Sequence, residues 1–302
     1  MIENIQPNLI ISGVNKAGTT SIFSYLSNHP DVCASSIKET CYFLPLRYGK
    51  ELSPFSEYLE YFCHCSRKKY VMEATPGYFY GGESVAKAIK ERLGNVKILI
   101  IFREPVARLF SFYKSKKSTM ELDRRISFES YIRICENLAP CERRKQENNV
   151  YWGIEGGFYS NYLDTWLNVF GHSVKVLFFE NLHNNRALFM KELCEWLQID
   201  YAKLNLSNLE VENRTLDYGN GPLHKIALQA NVIGERFFRS NPAIKKFARK
   251  IYYALNGKVY QDAMPENVKD YLEAMFRPYN KRLAHELTQL GYDNLPHWLT
   301  HK

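Results

Sequence analysis

Gly13-Val14-Asn15-Lys16-Ala17-Gly18-Thr19-Thr20 stands between a short apolar run, Asn8 to Ser12 (NLIIS), and a segment with helical spacing. Its residue types suit an anion. Glycines let backbone N–H groups turn toward a ligand, and the start of a helix adds partial positive charge. Thr19 and Thr20 add hydroxyls, and Lys16 adds a full charge. The spacing approaches the GxxxxGK[ST] phosphate loop, with one displacement. Thr19 stands where that loop has its lysine, and the lysine has moved three residues earlier, to Lys16. A second stretch agrees with an anion that needs no metal. The apolar run Val96 to Phe102 (VKILIIF) is followed by Arg103-Glu104-Pro105, where P-loop NTPases place an aspartate for magnesium. An arginine directly after a buried strand is costly unless it meets an anion, here a phosphate or the carboxylate of Glu104 or Glu73.

The elements that must position these residues follow from the apolar pattern. Asn8 to Ser12, Val32 to Ala34, Tyr70 to Ala74, Val96 to Phe102 and Lys175 to Phe179 read as strands. Helices are expected over Thr20 to Leu26, over Glu83 to Leu93, and from Pro105 onward, where Val106, Leu109, Phe110 and Tyr113 recur at helical spacing. Tyr159, Tyr162, Leu163, Trp166, Leu167 and Phe170 form a further helical stripe, read as core rather than a ligand stack. Glu142 to Asn149 reads as a solvated loop or frayed helix, and Val268 to Leu290 as one long amphipathic helix. Strands alternating with helices predict an α/β fold, a P-loop-like parallel sheet flanked by helices, with a mostly helical C-terminal part. No internal repeat, low-complexity tract or linker divides the chain, so residues 1–302 are expected to form one domain.

Composition narrows the class. Of 302 residues, 45% are hydrophobic, enough for a sizeable core, which excludes disordered and fibrous chains. Lys plus Arg number 40 against 32 Asp plus Glu, a net charge of +8 that fits an anionic ligand without choosing one. No apolar run approaches the ~20 residues of a membrane span. The start, MIENIQPNLIIS, lacks the charged and apolar regions of a signal peptide. The seven cysteines are therefore expected to be reduced thiols in a cytoplasmic protein. Cys63-His64-Cys65 lacks zinc-knuckle spacing, and Cys135 and Cys141 supply no matching pair, so no metal site is expected.

These stretches together resemble the sulfotransferases that use 3′-phosphoadenosine 5′-phosphosulfate (PAPS). Gly13 to Thr20 resembles the family's 5′-phosphosulfate loop, which implies contacts from Lys16, Ala17, Gly18, Thr19, Thr20 and Ser21. Arg103 to Ser111 (REPVARLFS) resembles its 3′-phosphate motif, which implies that Arg103 and Ser111 bind the 3′-phosphate. Two further stretches are similar to the branch holding heparan sulfate sulfotransferases and bacterial relatives. His29 to Phe43 matches its segment with a catalytic glutamate, here Glu39 beside Lys38. Glu73-Ala74-Thr75-Pro76-Gly77-Tyr78-Phe79 matches its acceptor-facing turn, which implies that Lys38, Thr75 and Tyr78 touch the acceptor. Gly157 to Trp166 and Val176 to Leu182, with Glu180, match further family patterns. The resemblance covers roughly residues 8–185, with a weaker echo from Phe276 to Trp298.

The departures lie on the acceptor side. Ala74 replaces a frequent lysine, and Cys41 and Tyr162 replace frequent histidines. The family's later lysine-glycine loop is replaced by Asn213-Arg214 and Gly219-Asn220-Gly221, so Arg214 is expected to take over its nucleotide contact. Heparan sulfate is therefore not carried over as the acceptor.

The resemblance implies in-line transfer of a sulfuryl group from PAPS to a hydroxyl of a carbohydrate or small metabolite. Lys16 would stabilise the charge growing on the leaving oxygen, and Glu39 would take the acceptor proton. His29, beside a proline at a helix end, is read as a packing or capping group. A P-loop small-molecule kinase and a non-catalytic nucleotide- or polyanion-binding module are the alternatives. No nucleic-acid partner is expected.

Overall fold

The computed structural model describes residues 5–204, 217–234, 238, 242–258 and 263–300. Five strands form one sheet: β1 (Leu9–Gly13), β2 (Val32–Ala34), β3 (Tyr70–Ala74), β4 (Lys97–Phe102) and β5 (Val174–Phe178). Their order is β2-β3-β1-β4-β5, and every pairing is parallel. β1 and β3 are buried along their whole length and β4 over all but its first residue. That is why they read as continuous apolar runs: a parallel sheet is covered on both faces.

The covering helices are α1 (Thr19–Ser27), α2 (Phe55–Glu60), α3 (Gly82–Leu93), α4 (Pro105–Ser118), α5 (Phe128–Asn137), α6 (Pro140–Arg143), α7 (Ser160–Phe170), α8 (Phe179–Asn184) and α9 (Arg186–Leu197). The stripe on α7 packs as expected, with Leu163 and Trp166 fully buried and the Trp166 indole N–H donating to the Phe79 carbonyl at 3.1 Å. Glu142 to Asn149, expected to be a solvated loop or frayed helix, runs from the end of the single turn α6 into a 3-10 turn, Gln146–Tyr151.

Beyond them lie β6 (Asp217–Tyr218), α10 (Gly221–Ile233), α11 (Pro242–Asn256), β7 (Gly257–Lys258), α12 (Glu266–Gln289) and α13 (His297–Thr300), with β6 and β7 antiparallel. α12 buries Leu272 and Phe276 in a second cluster with Leu109 and Tyr113 of α4 and Phe128 and Tyr131 of α5.

The sheet order fixes where a ligand site can form. After β1 the chain leaves toward β2 and β3, and after β4 it leaves the other way, toward β5. Loops after two adjacent strands that diverge in this manner open a crevice at the carboxyl ends of the sheet. The two loops are Val14 to Gly18 and Arg103-Glu104, the segments the sequence marks for an anion.

Candidate active site

The loop after β1 turns on Gly18, which has φ +81° and lies so close to Leu182 and Phe179 that a Cβ would meet both at 3.0 Å. A side chain there is excluded by conformation and by space. Gly18 is also the residue preceding α1, and no side chain caps that helix. Among the described residues no acceptor meets the N–H groups of Gly18, Thr19, Thr20 and Ser21. A helix start leaves such donors open, and an uncapped row of them is fitted to an anion. Ala17, Thr19 and Ser21 are buried, and the Ala17 N–H closes the loop by donating to the Val14 carbonyl at 3.3 Å.

Lys16 stands in the same loop, and its ammonium has no hydrogen-bond partner among the described residues. Burial, then the neighbouring Arg103 and, from α4, Lys114 and Lys116 lower its pKa to about 8, while Glu39 acts in the opposite direction. A partly buried cation among three further cations is what a polyanionic ligand would relieve.

Arg103 closes the crevice from the β4 side. Its Nη1 donates to the Lys16 carbonyl at 2.9 Å, and its guanidinium lies 4.5 Å over the Phe179 ring. It pairs with neither Glu104 nor Glu73. Glu104 instead caps α4, accepting from the N–H groups of Val106 and Ala107 at 2.8 and 2.5 Å. The Glu104 N–H donates to Glu180 at 2.8 Å, which gives that glutamate a fixed task. Ser111 lies one and a half turns into α4, partly exposed, its hydroxyl unpartnered among the described residues.

Glu39 follows β2 by five residues, and its carboxylate is 39% exposed, bonded at 3.1 Å by the Lys38 ammonium. It is close enough to Lys16 to raise that group's proton affinity. The other carboxylate of this region is Glu73, fully buried on β3. Thr75 and Tyr78 donate to its Oε1 at 2.8 Å each, Thr40 donates to the same oxygen, and Tyr58 donates to Oε2. Burial raises the Glu73 pKa against the opposing effect of these four bonds. Thr40 directly follows Glu39, so this knot anchors the segment that carries the exposed carboxylate.

Of the residues expected to touch an acceptor, Thr75 and Tyr78 are turned inward in this arrangement. Both are 0% exposed, and their hydroxyls are committed to Glu73. His29 is also committed, its Nε2 to the Asp200 carbonyl at 2.9 Å and its Nδ1 to the Asp31 N–H at 3.1 Å, the structural role read from the sequence. Arg214 lies outside the described residues.

Three residues escaped the sequence reading. Lys114 and Lys116 follow Arg103 along α4 and enlarge the positive field at Lys16. Their signal was the basic run Lys114-Ser115-Lys116-Lys117 on a helix beginning at the crevice. Arg47 carries a partly buried guanidinium 4.2 Å over Trp152 and 5.6 Å over Tyr80, with no hydrogen-bond or ion-pair partner among the described residues. Nothing in its sequence neighbourhood predicts that box.

The cysteine reading is corrected for one pair. Cys33 on β2 and Cys65, just before β3, are joined in a disulfide with Cα atoms 5.8 Å apart. The pairing of β2 with β3 brings them together across 32 residues. His64 Nε2 lies 3.7 and 3.8 Å from the two sulfurs, completing a trio of metal-ligand types that spacing alone did not suggest. With the sulfurs bonded to each other the trio offers no thiolate pair. The other five cysteines are free, but reduced thiols throughout no longer argue for the cytoplasm.

Residues 6–218 match the sulfotransferase domain family. The chain is 32% identical over 107 residues to the membrane-associated sulfotransferase kil1 of Dictyostelium discoideum, covering 35% of this chain and only 22% of that protein. It is 27% identical over 266 residues to heparan sulfate glucosamine 3-O-sulfotransferase 5 of Homo sapiens, covering 84% of this chain and 71% of that one. A solved sulfotransferase from Alicyclobacillus acidocaldarius shares the fold, with TM-score 0.60 and 23% identity over 80% of this chain and 96% of that one. The family match spans all five strands of the sheet, the open helix start at Gly18 and the loop after β4, and the chain belongs to the sulfotransferase domain family.

Proposed function

We propose that the chain transfers a sulfuryl group from PAPS to a hydroxyl of a carbohydrate or small metabolite. The observation that carries this reading is the crevice itself. N–H groups at Gly18 to Ser21 and a Lys16 ammonium, without partners among the described residues, share one neighbourhood with a partly exposed Glu39 carboxylate. The amides of Gly18 to Ser21 and the hydroxyls of Thr19, Thr20 and Ser21 would hold the 5′-phosphosulfate, with Ala17, whose N–H donates to the Val14 carbonyl at 3.3 Å, shaping the loop, and Arg103 and Ser111 would hold the 3′-phosphate. Glu39 takes the proton as the acceptor oxygen bonds to sulfur. The bond from sulfur to the 5′-phosphate oxygen breaks, and Lys16 stabilises the charge that collects on that oxygen. Lys38, which holds the Glu39 carboxylate at 3.1 Å, would contact the acceptor. The heparan sulfate relative supports a carbohydrate as one acceptor class.

Thermal shift separates this reading from its alternatives. Stabilisation by 3′-phosphoadenosine 5′-phosphate without magnesium is expected. Stabilisation only by ATP with magnesium would instead make the chain a kinase. A response to polyanions alone would make it a binding module. Transfer of labelled sulfate from PAPS into an extract of small metabolites and oligosaccharides then identifies the acceptor.

A further inference from the structure

Among the described residues, seven of the eleven large hydrophobic side chains that stand exposed lie on α10 and α11. On α11 they are Ile244, Phe247, Ile251 and Leu255, spaced three, four and four residues apart, which puts them on one helical face. On α10 they are Leu223, Ile226 and Ile233. They protrude rather than line a groove: Ile233 is 87% exposed, Leu255 75% and Phe247 66%.

Two polar side chains of these helices, His224 and Asn256, point the other way, into the protein. His224 is buried with its ring stacked 3.9 Å from Tyr218, its Nε2 donating to the Ser118 carbonyl at 2.6 Å and its Nδ1 bonded to the Tyr252 hydroxyl. Asn256, also buried, donates to the Asn220 carbonyl at 3.1 Å and to Tyr252 at 3.0 Å. Ordinary surface helices are built in the opposite sense, apolar within and polar without. Here the polar pins fix the pair to the end of α4, and the apolar stripe is left outside.

Charge selects the partner. α10 and α11 carry Lys225, Lys245, Lys246, Arg249 and Lys250, and neither helix holds an aspartate or glutamate. A second copy of this chain would set those cations against their own equivalents, which costs binding. A protruding apolar stripe bordered by lysine and arginine is the pattern of a helix lying in the plane of a lipid interface. We propose that α10 and α11 form a docking surface for an anionic lipid bilayer, with Phe247, Ile251 and Leu255 entering the headgroup–acyl boundary and the exposed Lys225 and Lys250 meeting lipid phosphates. This does not depend on the sulfotransferase reading.

Sedimentation of the full chain with phosphatidylcholine vesicles, with and without phosphatidylglycerol, tests it. Binding is expected to the anionic vesicles and to weaken with salt. Lys225→Gln with Lys250→Gln should lower the partition coefficient about thirty-fold, the scale for two cations at an anionic surface. Phe247→Glu with Leu255→Glu should abolish binding while the thermal midpoint and nucleotide binding stay at wild-type values. If that variant misfolds, Phe247→Trp replaces it, and its emission should shift to shorter wavelength with anionic vesicles only. Equal binding to both vesicle types, no emission shift, or a dimer in light scattering that Phe247→Glu dissolves would each overturn the proposal.

Discussion

The Arg103 guanidinium donates to the Lys16 carbonyl at 2.9 Å, so the residue that follows β4 holds the loop that follows β1. Two segments 87 residues apart in sequence are thereby one structure before any ligand arrives. Arg103→Ala should lower affinity for 3′-phosphoadenosine 5′-phosphate through loop order and through the lost phosphate contact together. The second effect is separable. The ratio of affinities for the nucleotides with and without the 3′-phosphate should shrink about tenfold or more, as for loss of one charge-assisted hydrogen bond. Calorimetry with both nucleotides measures it, and an unchanged ratio leaves Arg103 with the loop alone.

Lys16 sets a pH dependence whose sign can be worked out. Its folded pKa is lowered from 10.5 to about 8, mainly by burial. Below about 8 the ammonium is present in the free protein and meets an anionic nucleotide directly. Above it the free protein has released that proton, and binding must take it up again. Nucleotide affinity should therefore be flat near neutrality and fall through about 8, by at most about tenfold per pH unit. Calorimetry in buffers of different ionisation enthalpy should record proton uptake at alkaline pH. Lys16→Gln should remove both the slope and the uptake. The same shift makes folding stability rise with pH between about 8 and 10.5, where the unfolded chain holds a proton the folded one has lost.

How much of this was legible in the sequence depended on the range of the interaction. The core strands read from their own apolar runs, and each lies within a residue or two of its expected limits, because burial on both faces leaves a continuous local signal. The loop after β1 was legible for the same reason: its glycines, lysine and threonines are contiguous. The knot around Glu73 was not. A carboxylate within YVMEA is neutral evidence until hydroxyls from residues 40, 58, 75 and 78 converge on it. Thr75 and Tyr78 look like acceptor contacts in a list of motif residues and are inward-facing ties in three dimensions. The Cys33–Cys65 pair was hidden likewise, since only the adjacency of β2 and β3 joins two cysteines 32 residues apart.

The knot makes its own prediction. Tyr58 supplies the hydroxyl that bonds Glu73 Oε2, and both residues are fully buried. Tyr58→Phe keeps the ring packed between Tyr42 and Phe62 and removes that donor. A buried carboxylate oxygen left without its donor costs ~1–3 kcal/mol, so the thermal midpoint should fall by several degrees. Nucleotide binding should be unaffected, because neither residue belongs to the crevice. An unchanged midpoint would mean that water replaces the lost hydroxyl.

Glu39 separates proton transfer from binding. Its carboxylate is partly exposed and bonded to Lys38, while the competing groups, His29 and Glu73, are buried and already engaged. Glu39→Gln keeps the size of the side chain and one acceptor oxygen but cannot take a proton. The donor crevice is built from the loops after β1 and β4, and Glu39 lies in neither, so affinity for the donor nucleotide should survive. One electrostatic change is expected: the attraction that raises the Lys16 proton affinity disappears, so the alkaline fall in nucleotide affinity should begin at lower pH. Sulfuryl transfer itself should drop ~10²–10⁴-fold in kcat, the range for removing a general base. Thermal midpoint and nucleotide affinity measured beside the rate distinguish this from structural damage, which would lower all three. Normal turnover at saturating acceptor would remove Glu39 from the chemistry, and the two committed groups would then have to release their present partners to replace it.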